Sequence, residues 1–597
     1  MPQKILAGRA SDPQLRGELV QVKVDQVILS RAPTRALAHA VAWGMKKAVP
    51  EITIAYDGTA VTTPETLAAA ASGASDTVAP SFPSYGVLVA RPGIGFPSPV
   101  HIERFAAPGR LALTDDPRLA PVGGVGMLCL VTSSAQLGLA MATGSVWLRP
   151  PRSIQIHLAG RTRPFVCARD VALELLRRDV AETVRRIEEQ FHAPVVLEFA
   201  GPSARMLSVQ KRAVLCGIAH QVGAAAALFI SDDKTEVFLR DQRRSKAHRA
   251  LVPDPGAPCE EVLTIDLATV DPLIMDESGR VRTTRELSGK PVSQVVLGGD
   301  SGVTLRDMLA AASLLKSKRI PARLDLLLAP PSRQVLEVLG QSGALVDLVA
   351  TGARVVEPDR RLMTGELYPP PEDCSSLRNA DPEPWVDGGR RHLVASAESL
   401  SYAVAHGVVG DPRAFKRPAR VTVPRVLPTE DVLVVRAKAQ KKGPSTAVPE
   451  VPKVGAPTPW KEAATLDLCF GLPGPNHAVA RAPKGKGLCL VAGSPDEVRA
   501  AYEAVTLGAD IRALIAPHVP SQIVSSLASE GVASFELGPH GISSLKNEKR
   551  LALPKASTWG PKTAASAGNA KLQLKWLAID REQLWTQTGR AANTAEG

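Results

Sequence analysis

The chain has 597 residues, of which 45% are apolar and 22% charged, and its formal net charge is +12. This length exceeds what one hydrophobic core organises, so we expect several domains, and the composition excludes a disordered or fibrous protein. No apolar run of about 18 residues occurs, and the N-terminus lacks the pattern of a secretory signal, so the sequence predicts a cytoplasmic protein without a membrane span.

Cysteine spacing and charge spacing both argue against two common site types. The seven cysteines are scattered without a C-x-x-C pair, which argues against a disulfide framework. The densest basic clusters are 240–249 and 436–443, and neither is interleaved with the aromatic residues that a single-stranded nucleic acid would stack on. We therefore expect solvated surface at these clusters, with nucleic-acid binding left as an alternative.

Strand-like and helix-like segments alternate through the first two thirds of the chain. Short runs such as "VQVKVDQVIL", "EITIAYDG", "PVVLEFAG" and "SQVVLGGD" are rich in Val, Ile and Leu. Residues 168–191 carry apolar side chains three and four apart, which predicts an amphipathic helix. This alternation predicts an α/β fold with mainly parallel sheets.

The composition divides the chain into a body, a linker and a second α/β unit. Residues 426–460 are rich in Pro, Lys, Gly and Ser, which is typical of an exposed, semi-rigid linker. Strand and helix patterns return in "GLCLVAG", "PDEVRAAYEAVTLG" and "IRALIAP". We therefore predict a body over 1–425 and a smaller domain over 461–597 that moves relative to it.

Long segments of the chain resemble sequences of the aconitase superfamily, and they occur in the same order along the chain. They include "KILAGRA", "LAMATGSVWLRPPRSIQIHLAGRTRPFVCARDVAL", "GGDSGVTLRDMLAAASLL" and "HLVASAESLSYAVAHGVVGDPR". The pattern is most similar to compact prokaryotic aconitases, homoaconitases and the 3-isopropylmalate dehydratase large subunit. The resemblance implies a three-domain α/β/α body, a C-terminal swivelling α/β domain fused through the linker, and a site in the cleft between them.

The resemblance also implies a 4Fe–4S cluster held by three cysteines. In this chain, other residues occupy the three ligand positions. The family's G-S-C-T-N motif aligns with "GGDSG", which places Asp300 at the first ligand position. The family's P-G-C-x-x-C-x-G motif aligns with "PDRRLMTG", which places Arg360 and Met363 at the other two, and Cys374 alone cannot replace three ligands. We therefore expect no cluster, no other cofactor and no metal centre.

The acid–base and carboxylate-binding positions implied by the family are altered as well. The family's D-S-H-T aligns with Asp116, Pro117, Arg118 and Leu119, and its D-H pair aligns with Asp57 and Gly58. The glutamate of N-M-x-x-E becomes Gln221, beside His220 on an apolar helix. In the swivel-domain motif G-S-S-R-E-H, the serine base becomes Pro495 and the arginine becomes Asp496, which reverses a charge. In the family's N-R-N-F region, Arg378 and Asn379 are retained within "SSLRNADPEP".

Three functions remain open on these observations. The first is a non-catalytic member of the family that acts as a binding, regulatory or structural subunit, with a protein partner such as an active homologue or an anionic small molecule in the cleft. The second is a hydro-lyase-type enzyme with altered, cluster-free chemistry on a hydroxy-carboxylic acid, which would use Asp116, Arg118, Asp300, Arg360 and Arg378. The third is an RNA-binding protein that uses the basic charge.

Overall fold

In a computed structural model, the described residues form four open β-sheets and one closed barrel. The structure describes residues 1–58, 60–64, 81–371, 374–379, 392–424, 426–429, 432–436, 460, 462–470, 487–506 and 508–577. Parallel strands alternate with helices, so the predicted mixed α/β fold is confirmed. Within the described ranges, no helix is long and apolar enough to cross a membrane.

The first unit is built on a six-stranded sheet in which β3, β2, β5 and β6 run parallel. Its strands are nearly continuous runs of Val, Ile, Leu and Ala, because helices cover both faces. The strands therefore end together at one edge, where the loops that follow them meet. The elements are α1 (Pro2–Ala7), β1 (Val20–Lys23), β2 (Gln26–Leu29), α2 (Pro33–Ala42), β3 (Ile52–Tyr56), β4 (Leu88–Ala90), α3 (Pro97–Arg104), β5 (Leu111–Thr114), β6 (Leu128–Val131), α4 (Ser134–Thr143) and β7 (Ser145–Leu148).

The second unit has a four-stranded parallel sheet in the order β10-β9-β8-β11. The stretch predicted as one helix over 168–191 forms two helices, because Arg178 adopts an extended conformation (φ −92°, ψ 140°) that ends the first. Both helices bury apolar side chains in the same core. The elements are β8 (Arg152–Ala159), α5 (Ala168–Arg177), α6 (Val180–Phe191), β9 (Val195–Ala200), α7 (Pro202–Met206), α8 (Val209–Cys216), β10 (Ala226–Leu228), α9 (Asp233–Asp241) and β11 (Glu261–Asp266).

The third unit contains a seven-stranded mixed sheet whose central strands β17, β14 and β15 are parallel. Its core packs α10, α11, α12 and α14 against the sheet. The elements are β12 (Leu273–Met275), β13 (Val281–Thr283), β14 (Gln294–Gly298), α10 (Leu305–Leu315), β15 (Asp325–Ala329), α11 (Arg333–Gln341), α12 (Ala344–Thr351), β16 (Arg354–Val355), α13 (Arg360–Thr364), β17 (Ser376–Arg378), β18 (Leu393–Ala395) and α14 (Ala397–His406).

The stretch predicted as a linker begins with residues that pack on the body. Residues 434–435 form β19 (Val434–Val435), which pairs antiparallel with β4 at the edge of the six-stranded sheet. The carbonyl oxygen of Pro428 accepts hydrogen bonds from Arg104 and Gln334. Short apolar sequence next to prolines suffices for an added edge strand, which composition alone does not reveal. Residues 430–431 and 437–459 of the predicted linker lie outside the described residues.

The C-terminal domain is a closed seven-stranded barrel with helices on its outside. Trp460, Phe535, Trp559 and Trp576 make edge-to-face ring contacts in its core. The elements are β20 (Ala464–Phe470), β21 (Leu488–Val491), α15 (Pro495–Thr506), β22 (Ile511–Ala516), α16 (Ser521–Ser529), β23 (Ala533–Glu536), α17 (Pro539–Leu545), β24 (Arg550–Leu553), β25 (Thr563–Ala567) and β26 (Ala570–Leu577).

Candidate functional site

The candidate site lies where the carboxyl ends of two parallel sheets meet. Asp116 follows β5 of the six-stranded sheet, and Asp300 follows β14 of the seven-stranded sheet. Loops at this edge of an α/β sheet are the usual place for ligand-binding side chains. The structure therefore brings together, from units far apart in the chain, two residues that the sequence singled out.

A tight turn after β14 places Asp300. Gly298 and Gly299 have φ angles of +119° and +110°, and a Cβ on Gly298 would lie 1.9 Å from the carbonyl oxygen of Ala329. Only glycine fits this approach to the neighbouring strand. A capping box between Thr304 and Asp307 then starts α10, so the loop from Gly298 to Thr304 is fixed at both ends.

Arg118 joins the two loops. Its Nη1 lies 3.0 Å from Oδ2 of Asp300, and its Nη2 lies 3.2 Å from Oδ2 of Asp116. The side chains of Asp116 and Asp300 are 1% and 3% exposed, and that of Arg118 is 14% exposed. A guanidinium between two buried carboxylates satisfies charges that would otherwise be costly to bury.

Asp116 has further partners that sequence reasoning missed. Oγ of Ser30 donates to its Oδ2 at 2.7 Å, and Nε of the buried Arg31 lies 3.5 Å from its Oδ1. Burial alone would raise the pKa of Asp116, but the charges of Arg118 and Arg31 hold it well below its ordinary value. Asp116 is therefore unsuited to accept a proton at neutral pH. Because Ser30 and Arg31 directly follow β2, the common edge of parallel strands was a signal that could have found them.

The other two predicted ligand positions lie on the short helix α13. The backbone N–H of Arg360 donates to the carbonyl oxygen of Gly58 at 3.3 Å, and the Arg360 side chain passes over Gly58, next to Asp57 at the end of β3. Met363 is 1% exposed and packs in an apolar cluster with Phe96, Val296 and Leu327. The two positions therefore contribute a cation and a buried thioether.

Arg378 lies under α13, where its guanidinium is engaged by groups of the protein itself. Its side chain is fully buried, and Nη1 donates to the carbonyl oxygens of Leu362 and Met363 at 2.6 and 3.0 Å. Its Nε donates to Ser376 and its Nη2 to Gln294. Burial lowers the pKa of Arg378 to about 9, so the guanidinium is still charged at neutral pH.

Helix α15 carries the positions that the family alignment assigns to the swivel-domain motif. Pro495 is the first residue of this helix and has no group that could accept a proton, while the side chain of Asp496 lies outside the described residues. The N-terminus is capped instead by Ser494, whose Oγ accepts from the backbone N–H of Glu497 at 3.3 Å. Ser494 to Glu497 have the S-x-x-E spacing of a capping box, a signal that the sequence prediction missed.

A second group of polar atoms surrounds the turn after α8. Nη1 of Arg499 donates to the carbonyl oxygen of His220 at 3.2 Å. Burial lowers the pKa of His220 to about 4, and the Arg499 charge adds to this, so the imidazole is neutral at pH 7. Nε2 of His220 and Oε1 of Gln221 are buried and have no hydrogen-bond partner within the described part of the chain.

The basic cluster over 240–249 includes a residue with a structural role. Arg244 donates to the carbonyl oxygens of Ile102, Glu103 and Ala106 at the end of α3. This arrangement satisfies carbonyls that a helix C-terminus leaves free. The charge of Arg244 is therefore engaged within the body.

Comparison with known proteins shows what the chain is similar to. Residues 68–284 match the aconitase family (aconitate hydratase). The chain is 28% identical over 446 residues to the 3-isopropylmalate dehydratase large subunit 1 of Deinococcus radiodurans, a match that covers 73% of this chain and 95% of that protein. These matches support membership of the aconitase superfamily.

Two further relatives in the superfamily have related names. The 3-isopropylmalate dehydratase large subunit 2 of Archaeoglobus fulgidus is 27% identical over 330 residues, which are 54% of this chain and 77% of that protein. The homoaconitase large subunit of Thermus thermophilus is 28% identical over 390 residues, which are 64% and 88% of the two chains. The match to the Deinococcus protein spans nearly that whole large subunit.

The side chains at the implied ligand positions do not fit the 4Fe–4S cluster of the aconitase superfamily. Such a cluster is held by thiolates. Asp300 is ion-paired with Arg118, Arg360 is a cation, and Met363 is buried among apolar side chains. The seven cysteines are free thiols at other positions, and Cys374 is exposed.

Proposed function

We propose that this chain is a non-catalytic member of the aconitase superfamily that works without a 4Fe–4S cluster, as a binding, regulatory or structural subunit. The observation that carries the proposal is the ion pair between Arg118 and Asp300. By the family alignment, these residues occupy the positions of a histidine and a cluster-ligating cysteine. The positions of the family's histidine and cysteine are thus occupied by two oppositely charged side chains that pair with each other. This pairing favours a structural role for both residues.

The remaining polar groups support binding better than hydration and dehydration of a substrate. That chemistry needs a Lewis acid on the leaving hydroxyl and a base that takes the proton. The serine base is replaced by Pro495, and Asp116 is held in its charged form by two arginines. An anionic small molecule is the ligand class that we propose, because the family alignment puts the cation Arg360 at an implied ligand position and Arg499 contacts the turn at His220.

A protein partner is part of the proposal. The relatives from Deinococcus and Archaeoglobus are named as large subunits of 3-isopropylmalate dehydratase. By analogy, we propose that this chain associates with another protein, and an active homologue is the first candidate. The C-terminal barrel already lies against the body within this chain, so the partner would contact another surface.

One purified sample tests the cofactor and the activity together. The full chain is prepared without exposure to air, and iron, acid-labile sulfide and visible absorbance are measured. Hydration and dehydration of 2-isopropylmalate and citrate are then assayed, with and without added Mg²⁺ or Mn²⁺. We expect no stoichiometric iron and no turnover. A cluster chromophore would refute the proposal, as would a metal-stimulated turnover that Asp300→Ala abolishes.

A pull-down from the native host tests the binding role. We expect a protein to be retained at moderate salt and identified as a stoichiometric partner. As a matched comparison, the variant Asp300→Ala probes the ion pair and Arg240→Ala alters an exposed arginine in the basic cluster. Retention of RNA with a steep salt dependence, weakened by Arg240→Ala, would favour the nucleic-acid alternative instead.

A further inference from the structure

Helix α16 of the C-terminal domain is held by the body at both of its ends. At its start, the backbone N–H and Oγ of Ser521 both donate to Oε1 of Glu188, each at 2.6 Å. Glu188 lies on α6 of the body and is 5% exposed. A carboxylate from the body therefore caps the first turn of a helix in the other domain.

The far end of α16 makes the reciprocal contact. Glu530, which directly follows the helix, accepts from the backbone N–H of Ala135 at 3.0 Å, in the first turn of α4. Its Oε2 lies 2.7 Å from Nη2 of Arg35, and Nε2 of His39 is 3.8 Å away. The Glu530 side chain is 3% exposed. A carboxylate from the C-terminal domain thus caps a helix of the body and is itself neutralised there.

Contacts between these two ends complete the interface at the end of β6. Nε2 of Gln522 donates to the carbonyl oxygen of Val131 at 2.6 Å. The hydroxyl of Tyr502 donates to the carbonyl oxygen of Thr132 at 2.8 Å. The hydroxyls of Ser133 and Ser529 lie 2.6 Å apart. The Val131 side chain belongs to the apolar core of the C-terminal domain. Oγ of Ser134 donates to the carbonyl oxygen of Thr506 at 3.4 Å, so the consecutive residues 131–135 are each engaged by that domain.

We infer that α16, with Glu188 and Glu530 at its ends, is a two-ended clasp that holds the C-terminal domain in one position on the body. A domain that swings freely would bury few charges at its contact, because exposing and burying them in each cycle is costly. Here two buried carboxylates, a buried helix start on each side and an apolar side chain would all become exposed together. The clasp does not depend on the proposed function, since it concerns the domain contact alone.

Hydrogen exchange followed by mass spectrometry on the full chain tests the clasp. The two reporting segments are residues 131–137 and 519–524, which contain the capped amides of Ala135 and Ser521. In the double variant Glu188→Ala/Glu530→Ala, we expect exchange in both segments to accelerate about tenfold or more, because opening of the interface becomes more frequent. Strand β22, inside the barrel, should exchange as in the wild type.

Controls separate loss of the clasp from loss of the fold. Glu189→Ala removes the neighbouring glutamate on α6, which is 54% exposed, and should leave both segments protected. If β22 also loses protection in the double variant, the single variant Glu530→Gln replaces it, because the amide keeps the shape and loses the charge paired with Arg35. Wild-type exchange in the two segments as fast as in the variants would overturn the clasp, as would unchanged protection in the variants.

Discussion

Nη1 of Arg118 and Oδ2 of Asp300 lie 3.0 Å apart, although the two residues follow strands of different sheets. The pair neutralises two charges that are mostly buried, and Arg118 also pairs with Asp116. The pair therefore ties the first unit of the body to the third at the place where the family alignment expects a cofactor. Such a tie makes stability, rather than activity, the property that changes first when either residue is replaced.

Arg118→Ala should lower the free energy of unfolding by about 3–5 kcal/mol, because it leaves two buried carboxylates without their shared cation. Asp300→Ala should cost less, about 1–3 kcal/mol, since Arg118 keeps its contact with Asp116. The double variant should be less destabilised than the sum of the two, as measured by urea denaturation. Arg240→Ala, which removes an exposed arginine, should change stability by less than about 0.5 kcal/mol. Additive effects would show that the pair is not coupled.

Gly302→Ala tests how tightly the loop after β14 is packed. Gly302 has a φ of +81°, and a Cβ there would overlap the Arg169 guanidinium and the carbonyl oxygen of Asn379. Gly44 has the same φ, and a Cβ there would meet nothing within 4 Å in the described part of the chain. Gly44→Ala should therefore cost only the backbone strain, about 1–2 kcal/mol. Gly302→Ala should cost about 1–3 kcal/mol more, from overpacking. Equal shifts in thermal midpoint would show that the loop yields.

Arg378→Lys should destabilise the chain nearly as much as Arg378→Ala, by about 1–3 kcal/mol, because an ammonium cannot reproduce the forked contacts with Ser376, Gln294 and the carbonyls of α13. Thermal unfolding measures the effect. The matched variant Arg354→Lys changes an arginine that is 55% exposed and paired with Asp325, so it should have little effect. If Arg378→Lys keeps full stability and weakens binding of an anion instead, Arg378 faces a ligand.

His518 should make the domain contact sensitive to alkaline pH. The pKa of His518 is raised from 6.5 to about 9: burial opposes the shift, and the glutamates around it outweigh burial. Glu188 and Glu189 face His518 from α6, and Glu536 faces it from β23. Lys575 on β26 also contacts Glu536. A raised pKa in the folded state adds stability that is fully present below pH 6.5 and is lost as pH rises through 9.

Hydrogen exchange of residues 519–524 across that pH window, corrected for the intrinsic rate at each pH, measures the effect. The wild type should lose protection towards pH 9, and His518→Gln should have lower protection that no longer varies with pH. Glu189→Ala should keep most of the dependence, because Glu188 and Glu536 stay in place. A wild-type chain with pH-independent protection would contradict the assigned role of His518.

Local patterns predicted much of the fold, and they also indicated which loops form the site. The strand-like run "SQVVLGGD" ends at Asp300, so a site loop was expected there, while Asp116 was singled out only through its family motif. Their pairing through Arg118 could not be predicted, because it depends on how two units far apart in the chain pack. Arg378 was a candidate site residue, and its contacts with the carbonyls of α13 depend on the register of β17, which a local pattern does not specify.

The position of β19 constrains the polypeptide between the body and the barrel. The sheet order is β19-β4-β3-β2-β5-β6, so β19 lies at the edge opposite β6, while Trp460 donates to the carbonyl oxygen of Gly531 beside the clasp. Five strand spacings separate the two edges, which is about 24 Å at about 4.8 Å each. About seven fully extended residues cover that distance. A deletion that leaves fewer residues than this between Arg436 and Trp460 would make the connection too short to span the distance. Either β19 would then dissociate from β4, or the barrel would dissociate from the body.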